Sequence, residues 1–240
     1  MASRYWVGGT GTWDGSATTH WSATSGGSAG ASVPTGSDAV IFDASSGGGT
    51  VTVNSTRECA SLTTTGYTGT INGTVYTGGN ITLGSGGTYT GLTLGFNKST
   101  GGTLTSNGKT IAAFLAGVNT TYTITFADAL TVSGAFTVVT DSTGGTVTFT
   151  SGTTSTVGSV AWSNGGGTAN LTFNSSSSGS QATLSDSSGT NSLDYWSAQD
   201  LAFTGGATWS AGTGFVNNGN LTGLATSSSG VNALFALSLA

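Results

Sequence analysis

The stretch TYTITFADALTVSGAFTVV, residues 121–139, decides the fold of this chain. Within it, apolar residues alternate with Thr, and only short turns of Ala, Asp, Ser and Gly interrupt the alternation. A period of two is typical of β-strands that bury one face and expose the other. The pattern predicts one buried face that holds Tyr122, Ile124, Phe126, Leu130, Val132, Phe136 and Val138.

The same alternation recurs in shorter runs along the rest of the chain. Gly interrupts nearly every window, and Thr and Val prefer strands, so the sequence predicts an all-β protein. The one segment that predicts a short helical turn is IAAFLAGV, residues 111–118. The other alternating runs are VTV (51–53), NITLG (80–84), GLTLGF (91–96), GTVTFTSG (145–152) and ANLTFN (169–174).

A Gly-Gly-Thr unit followed by alternating residues recurs at uneven intervals, with its Thr at positions 50, 88, 103, 146 and 168. This spacing predicts imperfect coils of roughly 20 residues, the scale of a solenoid repeat. The predicted fold is therefore an all-β, parallel β-helix-like β-solenoid. An antiparallel β-sandwich or jelly roll is the alternative, because it also contains short alternating strands. Narrow tandem turns, without regularly spaced Asn-Gly hairpin signals, favour the solenoid.

The composition excludes several classes of function. Charged residues make up only 5% of the 240 residues, and the net charge is −5 with four Lys and Arg, so no basic footprint for nucleic acid exists. No run approaches the ~20 apolar residues of a membrane helix, so no membrane insertion is expected. A single cysteine allows no intrachain disulfide. The start MASRYWVGG has no apolar signal-peptide region, which favours assembly inside a cell followed by release.

Three tryptophans, Trp6, Trp13 and Trp21, lie within the polar stretch RYWVGGTGTWDGSATTHWS, residues 4–22. They predict either a cap over the first coil or a platform that stacks on a glycan. The cap is favoured, because an open solenoid end templates aggregation unless it is covered. Tyr195 and Trp196 belong to a second aromatic cluster, which predicts a carbohydrate platform, a cap over the far end of the solenoid or a contact buried between subunits. The two structural alternatives are favoured.

Few residues are candidates for catalysis. Asp128 and Asp141 are the acids that neighbouring coils could bring together as a hydrolytic pair, but both lie in turns, where Asp normally caps its own backbone. His20 is the only histidine and Cys59 the only cysteine. They are interpreted as a hydrogen-bonded turn residue and a small core residue. The sequence therefore predicts no enzyme, no metal site and no cofactor.

Thr-x-Thr is a recurring motif, as at 121–123, 123–125, 146–148 and 148–150. Outward Thr pairs that stack in register on successive coils would form a ladder of the kind that binds ice. The uneven spacing of the coils argues against such stacking, and Thr is also a common strand residue. Ice binding is therefore not the favoured prediction.

Two segments of the N-terminal third resemble a known family. TWDGSATTHWS with SVPTGSDAVIFD (32–43), followed by RECASLTTTGYTGTINGT (57–74), is similar to the leader of Gly/Thr-rich β-solenoid structural proteins of tailed bacteriophages. Similar modules occur in bacterial surface proteins. The resemblance covers roughly residues 5–75 and supplies no catalytic residues.

The resemblance implies a non-enzymatic virion component, either a head decoration protein or head fibre or a tail-fibre-like part, that assembles in the host cytoplasm. Its expected partners are copies of itself, other virion proteins and host surface glycans. A bacterial surface adhesin or extracellular filament subunit is the alternative. A carbohydrate-binding or ice-binding solenoid is the third.

The chain is predicted to form one continuous domain with three segments. Residues 1–48 form the Trp-rich cap and lead-in, 49–190 the solenoid body and 191–240 a closing and contact segment. The segment 231–240, VNALFALSLA, is strongly apolar, and contiguous apolar surface usually marks a contact. It predicts a homo-oligomer, either a trimer or a larger array, with contacts through Leu234, Phe235 and Leu237.

Overall fold

The computed structural model describes residues 1–96, 101–117, 122–139, 144–163 and 171–226. The described residues form β-strands of 2 to 10 residues joined by turns and loops, and the one helical element among them is a 3-10 turn, Ala44–Ser46. The strands are β1 Ser3–Trp6, β2 Gly11–Trp13, β3 Trp21–Ser22, β4 Ala39–Ile41, β5 Thr50–Cys59, β6 Ser61–Thr63, β7 Thr70–Thr77, β8 Ile81–Thr82, β9 Leu92–Phe96, β10 Gly101–Thr105, β11 Thr110–Ile111, β12 Ala113–Ala116, β13 Tyr122–Phe126, β14 Thr131–Val139, β15 Gly145–Phe149, β16 Thr154–Ser163, β17 Leu171–Ser175, β18 Ala182–Asp186, β19 Thr190–Leu193, β20 Trp196–Gln199, β21 Leu201–Gly205, β22 Thr208–Ala211, β23 Val216–Asn217, β24 Leu221–Thr222 and β25 Ala225–Thr226.

Two long sheets contain most of these strands. Sheet A has the order β23-β20-β17-β15-β13-β10-β8-β6-β4-β1-β3, and sheet B has the order β2-β5-β7-β9-β12-β14-β16-β18-β21-β24, with β11 also paired to β14. A third, three-stranded sheet has the order β19-β22-β25. The chain alternates between sheets A and B as it advances, so each coil adds one strand to each of them.

Every pairing between the described strands is parallel, except the antiparallel pair of β1 with β3 at one end. Parallel stacking of successive coils confirms the predicted β-solenoid, and it excludes the antiparallel sandwich that the alternation alone left open. The coils are imperfect, as predicted. In sheet A, Val40 lies opposite Leu62, Leu62 opposite Ile81, and Ile81 opposite Leu104. The corresponding spacings are 22, 19 and 23 residues.

The stretch 121–139 contributes β13 and β14, and its predicted buried face is confirmed. Each of the seven apolar residues assigned to that face is at most 3% exposed. A register shift between Val132 and Ala135 accommodates the Ser-Gly interruption inside β14. The helical turn expected at 111–118 is wrong, because this segment contributes β11 and β12. Its buried residues Ile111, Phe114 and Ala116 pack on the neighbouring coils, and this tertiary packing overrides the weak helix propensity.

Aromatic rings from successive coils stack through the middle of the solenoid. Phe114 lies parallel to Phe136, with ring centroids 5.4 Å apart, and Phe126 lies 5.2 Å from Phe149. Phe149 continues the contact to Phe173 on the next coil at 6.1 Å. Rings at these distances interact favourably beyond the apolar area they bury. The core is therefore one column that runs along the solenoid axis.

The three segments expected from the sequence share the same two sheets. In sheet A, β4 of the first segment pairs with β6 of the second, and β17 of the second pairs with β20 of the third. In sheet B, β18 of the second segment pairs with β21 of the third. The expected segment boundaries therefore do not interrupt either sheet.

Candidate functional site

The Trp-rich segment closes the first coil. Trp6, Trp13 and Trp21 are each fully buried and surround the equally buried ring of Phe42. Trp21 packs edge-to-face against both Trp6 and Trp13, with ring centroids 5.2 Å apart in each case. The rings of the three tryptophans lie 5.7, 6.3 and 6.3 Å from Phe42. We call these four residues the aromatic cap.

Polar contacts hold the loops around the aromatic cap. The Trp6 indole N–H donates to the carbonyl oxygen of Gly9 at 2.8 Å. His20 stacks on Trp6, and its Nδ1 donates to the carbonyl oxygen of Val7 at 2.9 Å. His20 is therefore a structural residue of the loop between β2 and β3, held by one stacking contact and one hydrogen bond through Nδ1.

The cap also covers the edge of sheet A. The two-residue strand β3 pairs antiparallel with β1, with Trp6 opposite Trp21. Very short edge strands hinder pairing with another chain. A glycan platform needs an exposed ring face, and none of the three tryptophans has one. The aromatic cap is built as a closure of the solenoid end.

Two carboxylates stabilise turns in the motif-bearing segment. Asp14 accepts backbone N–H bonds from Ala17 and Ser16 at 2.6 and 2.8 Å, which hold the pKa of its carboxyl below the usual value. Asp38 accepts the backbone N–H of Thr35 at 2.9 Å, and this bond likewise lowers the pKa of Asp38. Both acids therefore act as backbone caps in the ionised form.

The second aromatic cluster divides into a buried and a half-buried residue. Trp196 is 1% exposed and packs against Phe173, Phe203 and Phe215, with the Phe215 ring centroid 4.5 Å away. Tyr195 is half-buried at a turn with φ 55°. Trp196 thus continues the core column. The predicted contact residues Leu234, Phe235 and Leu237 lie outside the described residues.

The candidate catalytic acid Asp128 links two coils. Its carboxylate accepts the backbone N–H groups of Ser106 and Asn107, at 2.8 and 2.5 Å, from the turn one coil earlier. The sequence reasoning expected Asp128 to cap its own turn, and that detail is wrong. Stacking brings the earlier turn within reach, which chain position alone does not reveal. Asp141 lies outside the described residues.

Cys59 is a buried core residue. Its side chain is fully buried, and its Sγ lies 3.9 Å from the carbonyl oxygen of Tyr76. No three His, Cys, Asp or Glu side chains come together as metal ligands within the ranges that the structure describes. The described residues also include no helix with the length and apolarity that a membrane crossing requires.

Sequence reasoning missed a buried polar cluster around two tyrosines. The Tyr67 hydroxyl donates to the carbonyl oxygen of Gly49 at 2.7 Å, and burial raises the pKa of Tyr67 to about 12. Tyr89 and Thr64 share a 2.6 Å hydrogen bond, and the Thr64 hydroxyl accepts the backbone N–H of Gly84 at 2.7 Å. Burial also raises the pKa of Tyr89. The available signal was a Tyr within two residues of Gly on successive coils: Tyr67 follows Gly66 directly, and Tyr89 lies two residues from Gly87 and from Gly91.

The outward side of sheet A carries threonines in register, contrary to the expectation from uneven spacing. Thr103, Thr125 and Thr148 lie opposite one another in one column, and Thr123, Thr146 and Thr172 form the next. We call these six residues the threonine face. These threonines stay in register although the coils differ in length. Parallel pairing aligns the strands, and the differences in coil length lie in the connections between strands.

The fold and its aromatic cap define an N-terminally capped, parallel β-solenoid. Comparisons with protein-family models, with curated proteins and with solved structures give no match.

Proposed function

We propose that this protein is a non-enzymatic, self-assembling structural component of a tailed-phage virion, either a head decoration protein or head fibre or a tail-fibre-like part. The proposal rests on one observation. It is where the structure positions the residues that resemble phage structural proteins. These residues build the start of the solenoid.

The first motif supplies the closure. Trp13 and Trp21 belong to the aromatic cap, Asp38 fastens the turn that leads into β4, and Phe42 lies beneath the three tryptophans. The residues of this motif therefore form the cap, a turn and part of the core at the first coil of the solenoid. This supports a structural module, because the same residues would be poor candidates for binding a substrate.

The second motif supplies the next coil. Cys59, Leu62 and Tyr67 are each at most 1% exposed and belong to the core. His20 and Asp128 each hold a backbone group through a hydrogen bond. The candidate reactive residues that the structure describes therefore all make packing or hydrogen-bonding contacts. That distribution favours a scaffold over an enzyme.

Self-association is the part of the proposal that can be measured on the purified protein. Light scattering of the full chain should give the mass of a trimer or a larger assembly. Deletion of residues 231–240 should lower that mass, since the sequence predicts the contact there. A monomeric full-length chain would contradict self-assembly, and an unchanged mass after deletion would contradict the predicted contact.

The location of the protein needs a separate experiment. Gold-labelled antibodies against the chain should mark intact phage particles from a culture that produces it. Labelling of the bacterial envelope, with bare particles, would support the surface-adhesin alternative and contradict the virion proposal.

A further inference from the structure

The threonine face is a regular two-column array of side chains with a common chemistry. Neighbouring strands in a sheet lie about 4.8 Å apart, and residues two apart along a strand are separated by roughly 6.6 Å. The six threonines therefore repeat in two directions, across β10, β13, β15 and β17. Their side chains are exposed or half-buried.

The hydroxyls of this array are largely free to bind something outside the protein. Among the described residues, Thr103, Thr123, Thr125, Thr146 and Thr148 make no side-chain hydrogen bond within the chain. Thr172 alone accepts one, from the Ser197 hydroxyl at 3.1 Å. Thr is stiff about χ1, so these hydroxyls are held in place with little entropy left to lose on binding.

The outward positions of β10, β13, β15 and β17 carry no charged or aromatic side chain. Protein interfaces are enriched in Tyr, Trp, Phe, Met and Arg, and ligand pockets are concave and lined by apolar and aromatic groups. The threonine face has neither feature. It suits a ligand that is itself extended and periodic and that presents oxygen atoms able both to donate and to accept hydrogen bonds.

We propose that the threonine face binds ice. Water oxygens at an ice surface repeat in two directions on the same scale as the array, and each can donate to or accept from a hydroxyl. Each threonine also carries a methyl group, which makes no hydrogen bond that would compete with ordered water. This activity is additional to the proposed structural role and does not depend on it.

The test compares two Thr→Tyr variants, one on the threonine face of sheet A and one on the outward side of sheet B. Thr125→Tyr places a bulky ring in the centre of a column, between Thr103 and Thr148. Thr156→Tyr makes the same change at an exposed outward position of sheet B, opposite Thr131 and Ser185. Tyr is favourable in strands, so both variants are expected to fold, as circular dichroism and the melting temperature will show.

Thermal hysteresis and partition of the protein into a growing ice hemisphere are the two readouts. The wild type and Thr156→Tyr should show both activities, and Thr125→Tyr should lose both at an unchanged melting temperature. Absence of both in the wild type would overturn the proposal. So would equal loss in the two variants, or binding to insoluble cellulose or chitin with no effect on ice. A misfolded Thr125→Tyr would be replaced by Thr125→Val, for which the same loss is expected.

Discussion

The imidazole of His20 lies flat on the indole of Trp6, with ring centroids 4.6 Å apart and planes inclined by 7°. The contact fixes the loop that returns the chain from β2 to β3. It also shows how the aromatic cap is layered, because His20 covers the side of Trp6 that would otherwise be open, while Trp21 and Phe42 pack against Trp6 beneath it.

The layering predicts unequal effects of substitutions in the cap. Trp21 is fully buried and contacts Trp6, Trp13 and Phe42, so Trp21→Ala should lower the free energy of unfolding by about 3–5 kcal/mol. His20 is half-buried, and His20→Ala should remove about 1–2 kcal/mol through its stack and one hydrogen bond. Urea denaturation measures both. Equal small effects would show that the cap does not stabilise the first coil.

Burial of Tyr67 predicts a loss of stability at high pH. The ordinary pKa of tyrosine is 10.0, and in the folded protein that of Tyr67 is about 12. Between these values the unfolded chain has lost the proton and the folded chain still holds it. The contribution of the protonated Tyr67 to the free energy of unfolding is therefore fully present below pH 10. It falls by about 1.4 kcal/mol per pH unit as the pH rises from 10 towards 12.

The matched variant is Tyr67→Phe, which keeps the ring and removes the titrating group. It should be less stable at neutral pH, because the bond to the Gly49 carbonyl is lost. The difference in stability between wild type and variant should shrink above pH 10. A difference that stays constant from pH 8 to 11.5 would contradict the buried position of the hydroxyl.

Two glycines have nearly the same positive φ but different surroundings. Substituting each by Ala distinguishes the cost of backbone strain from the cost of a collision with the adjacent coil. Gly189 has φ 96° and open space where a Cβ would lie, whereas Gly205 has φ 95° and a Cβ there would collide with the carbonyl oxygen of Asp186 on the adjacent coil. Gly189→Ala should cost about 1–2 kcal/mol from backbone strain alone. Gly205→Ala should cost clearly more, because β18 and β21 must separate. Equal melting temperatures for the two variants would contradict the coil stacking at this position.

Asp128 is predicted to affect stability and not catalysis. Asp128→Ala removes both N–H bonds from the preceding turn and should lower the free energy of unfolding by about 1–3 kcal/mol. Glu58→Ala is the control, since among the described residues Glu58 makes no side-chain hydrogen bond and is exposed. Calorimetry should show a lower melting temperature for Asp128→Ala only. Hydrolysis of a polysaccharide that Asp128→Ala abolishes would instead support the catalytic alternative.

Apart from the segment 111–118, the alternating runs predicted strands and their buried faces correctly, because both depend on neighbouring residues. The alternation around Ile124 and Phe136 is enough to assign the buried face of each strand. Contacts between coils were not predictable in this way. The bond from Ser106 to Asp128 and the register of Thr125 with Thr148 both depend on how about 20 intervening residues fold back, and local propensity does not determine that.

The most direct test of the solenoid is a distance series along one column of sheet A. Ser61 on β6 is followed in strand order by β8, β10, β13, β15 and β17, so Thr125, Thr148 and Asn174 lie three, four and five strands away. Spin labels would be attached in pairs, Ser61 with each of these positions, in a Cys59→Ala background. Electron–electron double resonance should give narrow distances that increase by about 4.8 Å per strand. Distances that do not increase with the number of intervening strands would contradict the parallel, in-register stacking of the coils.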